Sequence, residues 1–244
     1  MESLTLRLDA YTRLPAEDRA ALEQLGRGNI VETPARRDMV REGEDPRAVR
    51  LIIRGWACRY KSLADGRRQI VGFFLPGDLC DPVSHLAQEM DYSVGAITAV
   101  QHAAIPIEDI THLIEERPGI ARAFAMHQMV DSSIDREWLL NVGQRNAYER
   151  IGHLLVELFL RLRAVGLAEG TACEFPVTQN DLAEATGLTP VHVNRTLQEM
   201  RRAGLIELAH RRLIIPNLDR LMQTSLFNPN YLHLDQPKPV PVNG

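Results

Sequence analysis

Residues 176–197 read PVTQNDLAEATGLTPVHVNRTL, and this run constrains the fold of the chain more than any other. Thr178 with Asp181 three positions on is a capping-box pattern, Asp replacing the commoner Glu, so a helix is predicted to start there. Thr189 followed by Pro190 is a second start signal: an N-cap, then a proline whose missing N–H costs nothing in a first turn. Gly187 lies between the two helices, where a tight turn needs positive φ. Ala183 is small where the helices must approach, and Leu182, Leu188, Val193 and Leu197 supply a shared core. Ala183, Gly187 and Val193 fall four, eight and fourteen positions after Gln179, the spacing of a helix-turn-helix. A plain helical hairpin would use the same caps, but the residues that follow argue against it. Arg201-Arg202-Ala203-Gly204 ends the second helix, and apolar runs at 205–208 and 213–215 flank Ala209-His210-Arg211-Arg212. That reads as a two-stranded wing with a basic tip, and a winged helix-turn-helix is predicted over 178–215.

A unit of this kind places its second helix in the major groove of duplex DNA, with the wing beside it on the backbone. The outward positions of the helix from Pro190 are Val191, His192, Asn194, Arg195 and Gln198. Arg195 is the candidate for a base contact, because its fork matches guanine O6 and N7. Asn194 suits adenine or a phosphate. Thr178, Thr189 and His192 are placed for phosphates, as are Arg211 and Arg212 in the wing; His192 reads equally well as an exposed residue without a role. The formal net charge of −4 argues against nucleic acid only as a whole-chain sum, whereas a local basic face decides binding. Lys61 and Lys238 are the only lysines; coding bias accounts for that, yet arginine forks suit phosphates and guanine edges.

Upstream the character changes. Residues 15–25 read as a short helix. Short β-prone runs recur at 29–33, 38–41, 49–53, 56–61, 69–74, 94–100 and 103–107, cut by turns such as Arg54-Gly55, Asp65-Gly66 and Pro76-Gly77-Asp78. Such spacing predicts an antiparallel sandwich or barrel. Residues 119–141 then carry Ala123, Met126, Val130, Ser133, Glu137 and Leu140 at alternating steps of three and four, a coiled-coil spacing that predicts a dimer seam. Packing of that stripe against the chain's own β domain is the alternative. Gly143 is expected to end this helix and to serve as a hinge. A second amphipathic helix is predicted over 145–165, with Ile151, Leu154, Leu155, Leu158, Phe159 and Leu162 on its apolar side. The resulting division is a β-rich sensor domain over 1–117, a dimerisation helix over 118–142, the DNA-binding domain over 143–234 and a disordered tail over 235–244.

Other chemistry is weakly signalled. His85, His102 and His112 match no metal-ligand spacing, and Asp78 with Asp81 has no nucleophile beside it, so an enzyme built on the β domain is the rival class. Cys58 and Cys80 read as buried thiols more readily than as redox sensors; with Cys173 they form no CxxC pair. No apolar run is long enough to span a bilayer and the start is no signal peptide, so a cytoplasmic protein without a membrane partner is expected.

The chain resembles the Crp/Fnr family of bacterial regulators, in an alphaproteobacterial-type subgroup. The resemblance rests on the β region with Pro76-Gly77-Asp78, on Arg136-Glu137-Trp138, on Gly187 through Arg195 to Leu197, and on Tyr231-Leu232-His233-Leu234. It implies an α+β fold with an antiparallel, cyclic nucleotide-binding-like β-roll, a long dimerisation helix and a C-terminal winged helix-turn-helix. It also implies a homodimer on palindromic promoter sites, double-stranded DNA and RNA polymerase as partners, and a small-molecule effector whose identity stays open. The pattern departs from family members in three places. Where cyclic AMP binders hold the phosphate with Arg-Ser and a nearby Glu, this chain has Tyr92-Ser93 and Pro82, so tight cyclic AMP binding is not expected. No cysteine precedes Cys58, so no iron–sulfur cluster is expected, and no cofactor is assigned. Val191 stands where many members have Glu, and valine accepts no bond from cytosine.

Overall fold

The computed structural model describes residues 2–80 and 88–234. Two helices, α1 (Glu2–Tyr11) and α2 (Ala16–Leu25), precede eight strands: β1 (Ile30–Thr33), β2 (Asp38–Val40), β3 (Ala48–Arg54), β4 (Ala57–Ser62), β5 (Arg68–Phe74), β6 (Leu79–Cys80), β7 (Ser93–Ala96) and β8 (Val100–Pro106). They form two antiparallel four-stranded sheets, ordered β1-β8-β3-β6 and β2-β7-β4-β5. Val40, Ile52, Phe74, Cys80, Met90 and Val94 are among the buried side chains of one apolar cluster that spans both sheets. Gly55 shows why the predicted turns hold: its φ is +84°, and a Cβ there would collide with the Ala99 carbonyl oxygen. The single strand expected over 94–100 is two, because the chain turns at residues 97–99 and Val100 pairs with Thr33 in the other sheet. The α+β class and the β-roll are as the sequence indicated.

The helical half begins with α3 (Ile107–Glu116), α4 (Pro118–Gln144) and α5 (Ala147–Ala164). Two expectations about α4 are corrected here. The helix runs through Gly143 to Gln144, and Arg145 then locks the joint by bonding Glu137 at 2.6 Å and the Leu226 carbonyl at 3.2 Å. Of the row predicted as a seam, Ala123, Val130 and Ser133 are also buried against the chain's own core, while Met126 and Glu137 are half-buried and Leu140 is exposed. The more apolar of two neighbouring rows with the same spacing packs inward, the ordinary outcome for an amphipathic helix on a domain core.

Helix α5 is buried continuously from Ile151 to Leu162, its polar residues included. Glu157, fully buried, accepts from Trp138 Nε1 at 3.0 Å and from the Tyr231 hydroxyl at 2.9 Å. Arg161 donates to the Phe73 carbonyl at 2.9 Å and to Asp78 at 2.8 Å, while Arg7 approaches the other Asp78 oxygen at 2.8 Å. Burial alone would raise the Asp78 carboxyl; Arg7 and Arg161 outweigh it and hold the group ionised below its ordinary range. The Pro76-Gly77-Asp78 turn thereby joins α1, the sheets and α5.

The remainder is β9 (Ala168–Glu169), β10 (Ala172–Glu174), α6 (Gln179–Thr186), α7 (Pro190–Arg202), β11 (Glu207–Ala209), β12 (Arg212–Ile214) and α8 (Leu218–Thr224), followed by a 3-10 turn at Pro229–Leu232. The expected two-stranded wing is the outer half of a four-stranded sheet ordered β11-β12-β10-β9. The helices α1, α3 and α8 and the β9–β10 hairpin were not foreseen. Asp81, Pro82, His85 and the tail over 235–244 lie outside the described residues.

Candidate nucleic-acid interface

Both predicted caps form. The Thr178 hydroxyl accepts from the Asp181 N–H at 3.2 Å and donates to the Asp181 carboxylate at 2.7 Å, and that carboxylate takes the Thr178 N–H at 2.8 Å. Thr189 Oγ1 accepts from the His192 N–H at 3.2 Å, which leaves the hydroxyl hydrogen for an outside acceptor. Gly187 adopts φ +66° at the end of α6, as the turn requires. Val193, Leu197 and Met200 are buried on the inner face of α7.

The outer face of α7 presents Val191, Arg195, Gln198 and Arg202, all exposed, with His192 and Asn194 half-buried at its edges. Arg195 has its nearest carboxylate, Glu199, at 3.9 Å, a loose surface pair that leaves the guanidinium available. Asn194 is more committed than the sequence suggested. Its amide donates to Gln179 Oε1 at 3.0 Å and its oxygen accepts from Gln198 at 2.9 Å, so it braces α7 against α6; one N–H and one lone pair remain.

The wing is built to hold its tip out. His210 and Arg211 have φ of +51° and +60°, the two-residue hairpin geometry usually given to Asn-Gly. Phe175 N–H bonds the Arg211 carbonyl at 2.7 Å and anchors this strained pair, while the side chains of Arg211 and Arg212 stay exposed. Arg201 ties the end of α7 to the wing through the Leu208 carbonyl at 3.1 Å.

The opposite side of α6 is clamped to the sheets. Arg36, itself at φ +64°, grips Asp181 with two bonds of 2.6 and 2.9 Å. Burial pushes the Asp181 carboxyl up, but Arg36 and Thr178 outweigh it and hold the group below its ordinary value. Arg68 adds a longer contact to Glu184 at 3.4 Å. Sequence reasoning missed Arg36, because its partner lies 145 positions away and nothing local marks it.

Apolar side chains fill the cluster spanning the two sheets, and Ser93 Oγ already accepts from the Glu42 N–H at 3.0 Å. The buried Arg7 and Arg161 are paired with Asp78, so neither offers a phosphodiester an open cation. Cys58, Cys80 and Cys173 are all buried, and burial raises the Cys58 and Cys173 thiols to about 11 and about 12. Among the described residues no group of three or more His, Cys, Asp or Glu is placed to hold a metal, and no helix is long and apolar enough to cross a membrane.

Residues 30–117 match the cyclic nucleotide-binding domain family, and residues 149–224 match the Crp-like helix-turn-helix domain family. The chain is 35% identical over 162 residues to the nitrogen fixation regulation protein FixK of Bradyrhizobium diazoefficiens, covering 65% of this chain and 66% of that one. It is 31% identical over 190 residues to the transcriptional activatory protein AadR of Rhodopseudomonas palustris, covering 77% of this chain and 74% of the relative. Among solved structures, FixK2 from Bradyrhizobium japonicum matches with a TM-score of 0.71 at 24% identity, over 80% of this chain and 96% of that one.

Proposed function

The chain belongs to the Crp/Fnr family of transcription regulators, and on that premise we propose that it acts as a homodimer on a palindromic promoter site. Its relatives are regulators and not enzymes, which removes the reading of the β domain as a catalyst. The observation that carries the dimer is the open face of α4. Arg122, Ala125, Met129, Ser132, Arg136, Leu139 and Gly143 follow one another at steps of three and four. Leu139 is 76% exposed within one chain. A heptad row that carries a bare leucine is a surface that a second copy would cover, and a two-fold axis along α4 sets two α7 helices for successive major grooves.

On this reading Arg195 contacts guanine, Asn194 braces the helix and borders the groove, and Thr178, Thr189, His192, Arg211 and Arg212 take phosphates. Residues 1–117 are the sensor domain, 118–142 the dimerisation helix and 143–234 the DNA-binding domain. The bound dimer contacts RNA polymerase in the cytoplasm. The pairing of Arg7 and Arg161 with Asp78 and the Tyr92-Ser93 sequence favour a second reading of control, in which the regulator acts without a cyclic nucleotide and answers to another effector or to its own abundance.

Genomic footprinting joined to sedimentation tests the proposal. Paired protected half-sites about one helical turn apart and a dimeric protein are expected, with Leu139→Arg abolishing both. A monomer that protects single half-sites, or a protein that ignores every promoter at low salt, overturns it.

A further inference from the structure

We propose that Val191 reads the methyl group of a thymine and so sets base preference beside the guanine assigned to Arg195; this rests on the DNA-reading role of α7 given above. Val191 is 80% exposed, the most exposed large hydrophobic side chain among the described residues. It sits in the first turn of α7, where Thr189 and Pro190 fix the start of the helix. A β-branched side chain in a helix has one dominant χ1 rotamer, so its two methyl groups are held in place and do not sweep.

Position selects the target. The first turn of a reading helix is the part that meets base edges. Val191 and Arg195 are four residues apart, share one face, and have Cβ atoms about 5–6 Å apart. Stacked bases rise about 3.4 Å, so the two side chains address base pairs one or two steps apart.

Chemistry selects the base. Valine neither donates nor accepts a hydrogen bond, so it cannot distinguish N7, O6, N6 or N4 groups. The apolar feature of the major-groove edge is the thymine C5-methyl group. The neighbours of Val191 on the outer face are polar: Arg195 and Gln198 are exposed and His192 is half-buried. With the adjacent, exposed Pro190 the valine forms only a two-residue apolar patch, too small to hold a protein partner.

The test removes one methyl group at a time. Half-sites are selected from random duplexes with the full-length protein, and each selected thymine is then replaced by deoxyuridine. At one thymine per half-site, within two base pairs of the Arg195 guanine, the replacement should weaken binding about fourfold, the size set by burying one methyl group. Val191→Ala should bind thymine and deoxyuridine duplexes alike, and Val191→Glu should shift the preference towards cytosine. Because the side chain is exposed, both variants should melt with the parent, which separates recognition from folding. Equal binding of thymine and deoxyuridine at every position, or an unchanged ratio in Val191→Ala, overturns the proposal. Loss of the methyl effect with the guanine preference intact removes the Val191 assignment alone. Failure to select any sequence removes the reading role of α7 itself.

Discussion

Helices α5 and α7 both carry histidine, glutamate and arginine, and they use them in opposite ways. In α5, His153, Glu157 and Arg161 are buried among partners that come from the β-roll, α4 and the C-terminal segment. In α7, Arg195, Gln198, Arg201 and Arg202 stay exposed and Val191 faces solvent. A buried charge held by several partners ties domains together and has little left for a ligand. A polar face whose internal bonds are few and exposed keeps most of its bonding capacity for something outside the chain. Residue type thus says little about role until the partners are known.

Arg161 gives the sharpest test of that contrast. Removing it by Arg161→Ala strands Asp78 beside Arg7 alone and takes one donor from Glu157, so stability should fall by about 3–5 kcal/mol. Urea unfolding measures this. A loss under about 1 kcal/mol would mean that α5 uses its charges no more deeply than α7 does.

The matching change in α7 is Arg195→Ala. It should cost about 1–3 kcal/mol in operator binding and relax preference at one base pair, while stability stays within about 0.5 kcal/mol of the parent. Titration against specific and mutated duplexes, with unfolding in parallel, reads both quantities. A large loss of stability would move Arg195 into the class of Arg161.

The two helices also differed in how much of them the sequence revealed. The helix-turn-helix was legible because its determinants are local: Thr178 with Asp181, Thr189 with Pro190, and Gly187 all act within a few residues. The apolar side of α5 was legible from its period, but the burial of Arg161 was not, since Phe73 and Asp78 lie 88 and 83 positions upstream. Asp181 shows both cases in one side chain. Its capping bond to Thr178 is local, whereas its clamp to Arg36 depends on how the β-roll docks. On α4 the helical period was legible, but spacing alone does not tell which of two adjacent rows the core will claim, and it claims Ala123, Val130 and Ser133.

An acid titration probes the α5 side further. Contact with His153 at 3.2 Å, joined by Arg145, holds the Glu137 carboxyl at about 2 against an ordinary value of 4.5. A depressed carboxyl stabilises the fold fully above its unfolded value and loses that contribution as pH falls through the folded one. The window is therefore pH 4.5 down to 2, and solvent screening of this half-buried group limits the contribution to about 1–2 kcal/mol. Unfolding at stepped pH should show this acid limb in the parent and a flatter one in Glu137→Gln. An identical slope in both would detach Glu137 from the joint between α4 and α5.

The smallest expected effect has the opposite sign, and it carries the comparison to the wing. Arg211 holds φ +60°, a conformation that costs a side-chain-bearing residue about 1–2 kcal/mol and glycine very little. Arg211→Gly relieves that strain but loosens the unfolded chain, so the net gain in stability should be at most about 1 kcal/mol. The same change deletes a phosphate contact. Affinity should fall evenly across sequences, and the slope of log affinity against log salt should lessen by about one. A variant more stable than the parent yet weaker on DNA would show that the tip tolerates strain in order to aim a cation outward. If Arg211→Gly bound with an unchanged salt slope, Arg211 would not be a phosphate ligand, and the strained turn would need another cause.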